Sequence, residues 1–109
     1  MSKSVMKINI AKDFSKNPAG RYISDGKYSG ESFLKNLLIP AITTHDLVEL
    51  DFTGVRGYGS SFLEEAFGGL IRETNMDLKE FMDKITIVTQ DPFLVPEINS
   101  YVSDAKKNR

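Results

Sequence analysis

Residues 47–71 have the pattern of a strand, a loop and a helix, and this unit constrains the fold more than any other part of the sequence. The run 47–52 (LVELDF) is short, apolar and typical of a buried strand. Residues 53–59 form a loop punctuated by glycines. Ser61 followed by Glu64 fits a capping box, so we expect a helix to begin at Ser61. Its inner face consists of Leu63, Ala66, Phe67, Leu70 and Ile71.

Strand and helix patterns alternate along the rest of the chain. Residues 5–10 and 84–89 alternate apolar and polar positions, which predicts two further strands, and residues 21–24 could add a short one within a turn-rich stretch. A helical face runs from Phe33 to Ile42, with Pro40 expected to kink or end the helix near Ile39. Asp91-Pro92 can start a last helix. Such alternation favours an α/β fold with a mostly parallel sheet and helices packed on it.

Composition narrows the classes of function. A length of 109 residues fits one domain, 1–109. The sequence has no cysteine, which excludes disulfides, zinc–thiolate sites and thiol nucleophiles. It has one histidine, and we expect no cofactor and no metal site. No apolar run approaches the ~20 residues of a membrane span, and the N-terminus lacks a secretory signal core, so we expect a cytoplasmic protein without membrane contact.

The net charge of −1 does not favour a nucleic-acid partner, but the charge is unevenly distributed. Residues 1–28 contain six Lys or Arg and two Asp, whereas residues 29–83 contain ten Asp or Glu and four Lys or Arg. The basic first segment is either a solvated surface or a contact for an acidic partner or a phosphate.

Two stretches of sequence carry a family resemblance. The run 48–55 (VELDFTGV), followed by 60–66 (SSFLEEA), resembles the STAS domain of bacterial anti-sigma-factor antagonists and sulfate-transporter tails. Gly20-Arg21-Tyr22, the run 29–33 (SGESF) and the run 61–70 (SFLEEAFGGL) are similar to an uncharacterised bacterial STAS-like family. This resemblance implies a STAS-like mixed, mostly parallel sheet of four to five strands with helices packed on it.

The resemblance also implies a regulatory function. In the antagonists, the first serine of an Asp-Ser-Ser-Gly motif is phosphorylated by a partner that is both anti-sigma factor and kinase, and this breaks the complex. The matching position is Ser60, with Ser61 beside it, so both are candidate phosphorylation sites. This chain has Gly59 in place of the motif's Asp and Phe62 in place of its Gly, which removes the acidic neighbour of the serine.

We therefore predict a regulatory protein-binding module, not an enzyme, whose partner is a histidine-kinase-like ATPase or an anti-sigma factor. Because aromatic residues are enriched at binding hot spots, Tyr58 is the expected anchor, exposed at the loop tip. The predicted partner-binding residues are Arg56, Gly57, Tyr58, Gly59, Ser60, Phe62 and Glu65.

Three hypotheses stay open for this loop. Ser60 is either a phosphorylated switch or an unmodified loop residue within a passive adaptor or homodimer. The third hypothesis is a sensor of a nucleotide or anion at the helix start. Gly57-Tyr58-Gly59 resembles a phosphate-binding turn, but Phe62 occupies the third glycine position of the dinucleotide fingerprint, so a flexible turn is the alternative.

Overall fold

The fold is built on a three-stranded parallel sheet. The computed structural model describes the backbone of residues 3–107 and the side chains of residues 3–106. The strands are β1 (Val5–Asn9), β2 (Leu47–Asp51) and β3 (Ile85–Val88), in the spatial order β1-β2-β3. Both neighbouring pairs are parallel, with Ile8 opposite Leu50 and Leu50 opposite Ile87. All three strands therefore end at the same edge of the sheet.

Five α-helices connect or follow the strands within the described residues. Helix α1 is the single turn Ile10–Asp13, helix α4 spans Leu78–Lys84 and helix α5 spans Leu94–Lys107. Two longer helices each contain a π-helical segment. Helix α2 consists of Gly30–Phe33, the π segment Leu34–Leu38 and Ile39–Thr44, and helix α3 consists of Ser60–Leu63, the π segment Glu64–Gly68 and Gly69–Thr74. We call the continuous helices 30–44 and 60–74 α2 and α3.

The sheet is covered by helices on one face. Ile8, Val48, Leu50 and Ile85 alternate along the strands and are buried in the core. Within each strand, the residues that alternate with these point to the other face of the sheet and are half-buried or exposed. That face of the sheet is therefore open. The helical side of the core is completed by Phe33, Leu38, Phe62, Phe67, Leu70, Phe81, Leu94 and Ile98.

The segment between β1 and α2 differs from the expectation. The residues expected to form a short strand, 21–24, form turns and part of a 3₁₀ helix, Ile23–Asp25, so the described chain has three strands, and the expected count of four to five is not confirmed. The Asp25 carboxylate accepts a hydrogen bond from the Tyr22 N–H at 2.9 Å, and Gly20 and Gly26 have positive φ angles of 93° and 154°. These local bonds and glycines favour turns over an extended strand.

Pro40 does not end helix α2, which continues to Thr44. The Ile39 N–H bonds to the Leu34 carbonyl, five residues back. This wide turn lies directly before the proline. We attribute the π segment to Pro40, which has no N–H to donate and whose ring would crowd the carbonyl four residues earlier in a regular α-helix.

Gly30 lets the first turns of α2 and α3 come into close contact. A Cβ built on Gly30 would lie 2.5 Å from the Phe62 carbonyl oxygen, 2.8 Å from Glu65 Cβ and 3.0 Å from the Ala66 nitrogen. Two of these three atoms belong to backbone that cannot move without shifting the helix. The absence of a side chain at Gly30 therefore determines where α3 begins relative to α2.

Candidate functional site

The predicted binding loop lies at the carboxyl edge of the sheet. Because the three strands are parallel, the segments that follow them meet at this edge: 10–16 after β1, 52–59 after β2 and 89–93 after β3. In open parallel sheets this edge is the usual place for a ligand or partner site.

The 52–59 loop is held to its neighbour by backbone contacts. The Arg56 N–H donates to the Lys16 carbonyl at 2.7 Å, and within the loop the Val55 N–H donates to the Phe52 carbonyl at 3.1 Å. Gly54 has φ +89° and would place a Cβ 3.4 Å from Ala11 Cβ. A side chain at Gly54 would be strained at this φ, so glycine is required for the loop to turn here.

Tyr58 is half-buried and is not the exposed loop tip that the sequence predicted. Its hydroxyl donates a hydrogen bond to Asp91 Oδ2, and its ring packs edge-on against Phe52 with centroids 5.8 Å apart. Burial, followed by the bond to Asp91, raises the pKa of Tyr58 to about 12. Asp91 also accepts the Phe93 N–H at 2.9 Å. Tyr58 thus joins the loops after β2 and β3, and part of its surface is covered by these contacts.

Ser60 and Ser61 are exposed at the beginning of α3. The helix begins at Ser60, with Gly59 as the N-cap, so the expected capping box of Ser61 and Glu64 is wrong. Glu64 is unavailable as a cap because two arginines bind its carboxylate. No side chain caps the first turn, and its N–H groups therefore remain available at the positive end of the helix.

Phe62 was predicted to bind a partner, but its side chain is not accessible to one. Its side chain is 0% exposed and belongs to the core. Its ring lies 5.7 Å from that of Phe33 and 6.0 Å from that of Phe14. Phe62 faces inward from the first turn of α3 while Ser60 and Ser61 face solvent, so it anchors this turn and contributes no accessible contact.

Glu65 lies in an ion-pair cluster on α3, with a side chain only 16% exposed. Arg21 and Arg72 each pair with both Glu64 and Glu65. Desolvation raises the pKa of Glu64, but the hydrogen bonds from Arg72 and Arg21 outweigh it and hold that pKa below its usual value. Glu65, which was predicted to contact a partner, therefore has its carboxylate largely occupied by Arg21 and Arg72 of the same chain.

Gly68 makes room for this cluster. A Cβ on Gly68 would clash with Glu64 Oε2 and would lie 3.1 Å from Arg72 Nη1. Residues 64, 68 and 72 follow each other at intervals of four, along one side of the helix. The atoms closest to Gly68 are therefore side-chain atoms of its own helix, whereas a Cβ on Gly69 would lie 3.0 Å from Leu34 Cδ2 of α2.

Two cavities flank the 52–59 loop. The larger, about 500 Å³, lies between this loop and the segment after β3, where Thr89, Gln90 and Asp91 line it. The second, about 390 Å³, lies on the β1 side, where Asn9, Lys12 and Lys16 line it. Sequence reasoning did not place these six residues at the site, although each follows or ends a predicted strand and parallel strands would bring them to one edge.

Within the part of the chain that the structure describes, no cluster of three or more His, Asp or Glu residues could hold a metal ion. No helix among residues 3–107 is long and apolar enough to cross a membrane.

A protein-family model described as a STAS-like domain of unknown function (DUF4325) matches residues 29–92. The chain belongs to this STAS-like family. No curated protein and no solved structure matches it. The matched region begins at the N-cap of α2 and ends in the loop after β3, so the STAS-like domain contains α2, α3, the 52–59 loop and both Ser60 and Ser61.

Proposed function

We propose that this STAS-like chain is a regulatory protein-binding module that recognises a partner through the exposed surface between Arg56 and Ser61. The observation that carries the proposal is the position of Ser60, which is exposed at the start of a helix whose first turn is anchored by the buried Phe62. A partner can reach Ser60 without unfolding the chain. The preceding loop is fixed to the segments on both sides, so the surface is preorganised.

Phosphorylation of Ser60 is the proposed switch. A phosphoryl group adds nearly two negative charges and three acceptor oxygens. The uncapped N–H groups of α3 can stabilise this charge, so the modified chain stays folded. The same charge placed in the middle of a packed interface repels an acidic or apolar partner surface. In this proposal the partner is an ATP-dependent protein kinase that doubles as the binding target, such as a histidine-kinase-like ATPase or an anti-sigma factor.

Two substitutions at Ser60 test the switch. Immobilised wild-type chain, Ser60→Ala and Ser60→Asp are compared for recovery of the same protein from the native host, identified by mass spectrometry. Ser60→Ala should retain the partner, and Ser60→Asp should lose it at least about tenfold, since a charge buried without a pair costs more than 1.4 kcal/mol. Ser24→Asp is the matched control because Ser24 is also exposed but lies in the 3₁₀ helix.

The alternatives give different results. A passive adaptor or homodimer module retains its partner with both Ser60 variants, and analytical ultracentrifugation distinguishes a second copy from a foreign chain. If Ser24→Asp weakens binding as much as Ser60→Asp does, general charge and not the Ser60 surface controls the interaction, and the proposal is wrong.

A further inference from the structure

Three cations surround the 390 Å³ cavity on the β1 side of the 52–59 loop. Lys12 and Lys16 come from the segment after β1, and Arg56 comes from the loop after β2. All three are exposed, and the Arg56 N–H bond to the Lys16 carbonyl holds the two segments together. The backbone therefore fixes the spacing of the two segments that carry the charges, which is the arrangement of a preorganised anion site.

None of these cations has an ion pair with another described residue, in contrast to Arg21 and Arg72. Three like charges around one cavity repel each other, and a bound anion would remove this cost.

The nearby carboxylates are occupied by backbone N–H groups. Asp51, which also lines the cavity, accepts the Thr53 N–H at 2.8 Å. Asp13 accepts the Asn9 N–H at 2.8 Å. The cavity therefore holds three cations against the single carboxylate of Asp51, with the Asn9 and Thr53 side chains as additional hydrogen-bonding groups.

We propose that this cavity is a binding site for a small phosphate-bearing molecule, with Arg56 as the bidentate ligand of the phosphate and Lys12 and Lys16 as supporting charges. A guanidinium matches two phosphate oxygens, whereas the lysines act as point charges that tolerate different shapes of the rest of the ligand. The site lies on the β1 side of the loop, whereas Tyr58 and Asp91 line the larger cavity on the β3 side, and Arg56 lines both cavities. Because Arg56 belongs to both the cavity and the proposed partner surface, a bound phosphate compound would alter that surface.

The test is a titration of the ¹⁵N-labelled full chain with inorganic phosphate, pyrophosphate and ATP, followed by NMR of the backbone amides. The expected result is saturable shifts centred on Asn9, Gly54 and Arg56 for at least one of the three probes, weakened by added salt. Stronger binding of ATP or pyrophosphate than of phosphate would identify the ligand as a phosphorylated compound. Equal binding would identify it as the free phosphate anion.

Arg56→Gln should weaken this binding at least about tenfold, the loss expected for a charge-assisted hydrogen-bond pair. Lys79→Gln is the matched control because it also removes one exposed cation but lies on α4. The absence of shifts at millimolar probe, or equal loss of binding in both variants, would overturn the proposal. Neither failure depends on Ser60 or on a protein partner, so this test is independent of the proposed switch.

Discussion

Gly30 lies where α2 and α3 are in close contact, so Gly30→Ala tests directly how these two helices pack. The added methyl group would meet the Phe62 carbonyl oxygen at 2.5 Å, where ordinary van der Waals contact begins at 3.4 Å. The neighbouring atoms are Glu65 Cβ and the Ala66 nitrogen, and neither is the end of a flexible side chain. The strain can therefore be relieved only by moving α2 and α3 apart, and the first turn of α3 carries Ser60 and Ser61.

Overpacking of this kind costs about 1–3 kcal/mol. Replacing glycine returns only about 0.4–1 kcal/mol by restricting the unfolded chain. We therefore expect Gly30→Ala to lower the free energy of unfolding by about 1–2 kcal/mol and the urea midpoint by roughly 1 M, at unchanged slope. Gly57→Ala is the matched control, since a Cβ there meets nothing within 4 Å. Equal urea midpoints for the two variants would refute the reasoning that α2 and α3 touch through Gly30.

Two further predictions concern hydrogen bonds and charge. Tyr58→Phe removes the bond to Asp91 and should destabilise the chain by about 0.5–1.5 kcal/mol in urea unfolding. Because the folded-state pKa of Tyr58 is raised from 10.0 to about 12, its contribution is complete below pH 10, is lost as the pH rises towards 12, and should disappear in Tyr58→Phe. Arg72→Gln should cost about 0.5 kcal/mol at neutral pH. Since the pKa of Glu64 is lowered from 4.5, this cost should shrink as acid protonates Glu64. Arg56→Gln is the control because Arg56 has no ion pair with another described residue. A cost of Arg72→Gln that persists in acid would contradict the role of Glu64.

The alternation of residues 5–10 and 84–89 predicted β1 and β3 because the sheet is covered on one face. The run 47–52 was predicted as a buried strand, but β2 alternates as well: Val48 and Leu50 are buried, and the polar Glu49 between them is only half-buried. The parallel arrangement also followed from the alternation of strands and helices. The expected strand at residues 21–24 failed because the side chain of Asp25 bonds locally to the backbone, and such bonds are not visible in an apolar–polar pattern.

The structure places the residues predicted for the site in different environments. The exposure of Ser60 and Arg56 agrees with the expectation, whereas Phe62 is in the core and Tyr58 is tied to Asp91. Glu64 was assigned to a cap because Ser61 precedes it by three residues. Its true partners are distant in sequence, with Arg21 43 residues away, and a local motif cannot reveal them.

The most direct test of the central claim is intact-mass analysis of the chain purified gently from its native host, with free and complexed fractions separated by size. The proposed function predicts a stoichiometric protein partner in the complexed fraction and a phosphoryl increment on Ser60 confined to the free fraction. Unmodified chain that is free of partner throughout would contradict the claim that this STAS-like domain works by regulated protein binding.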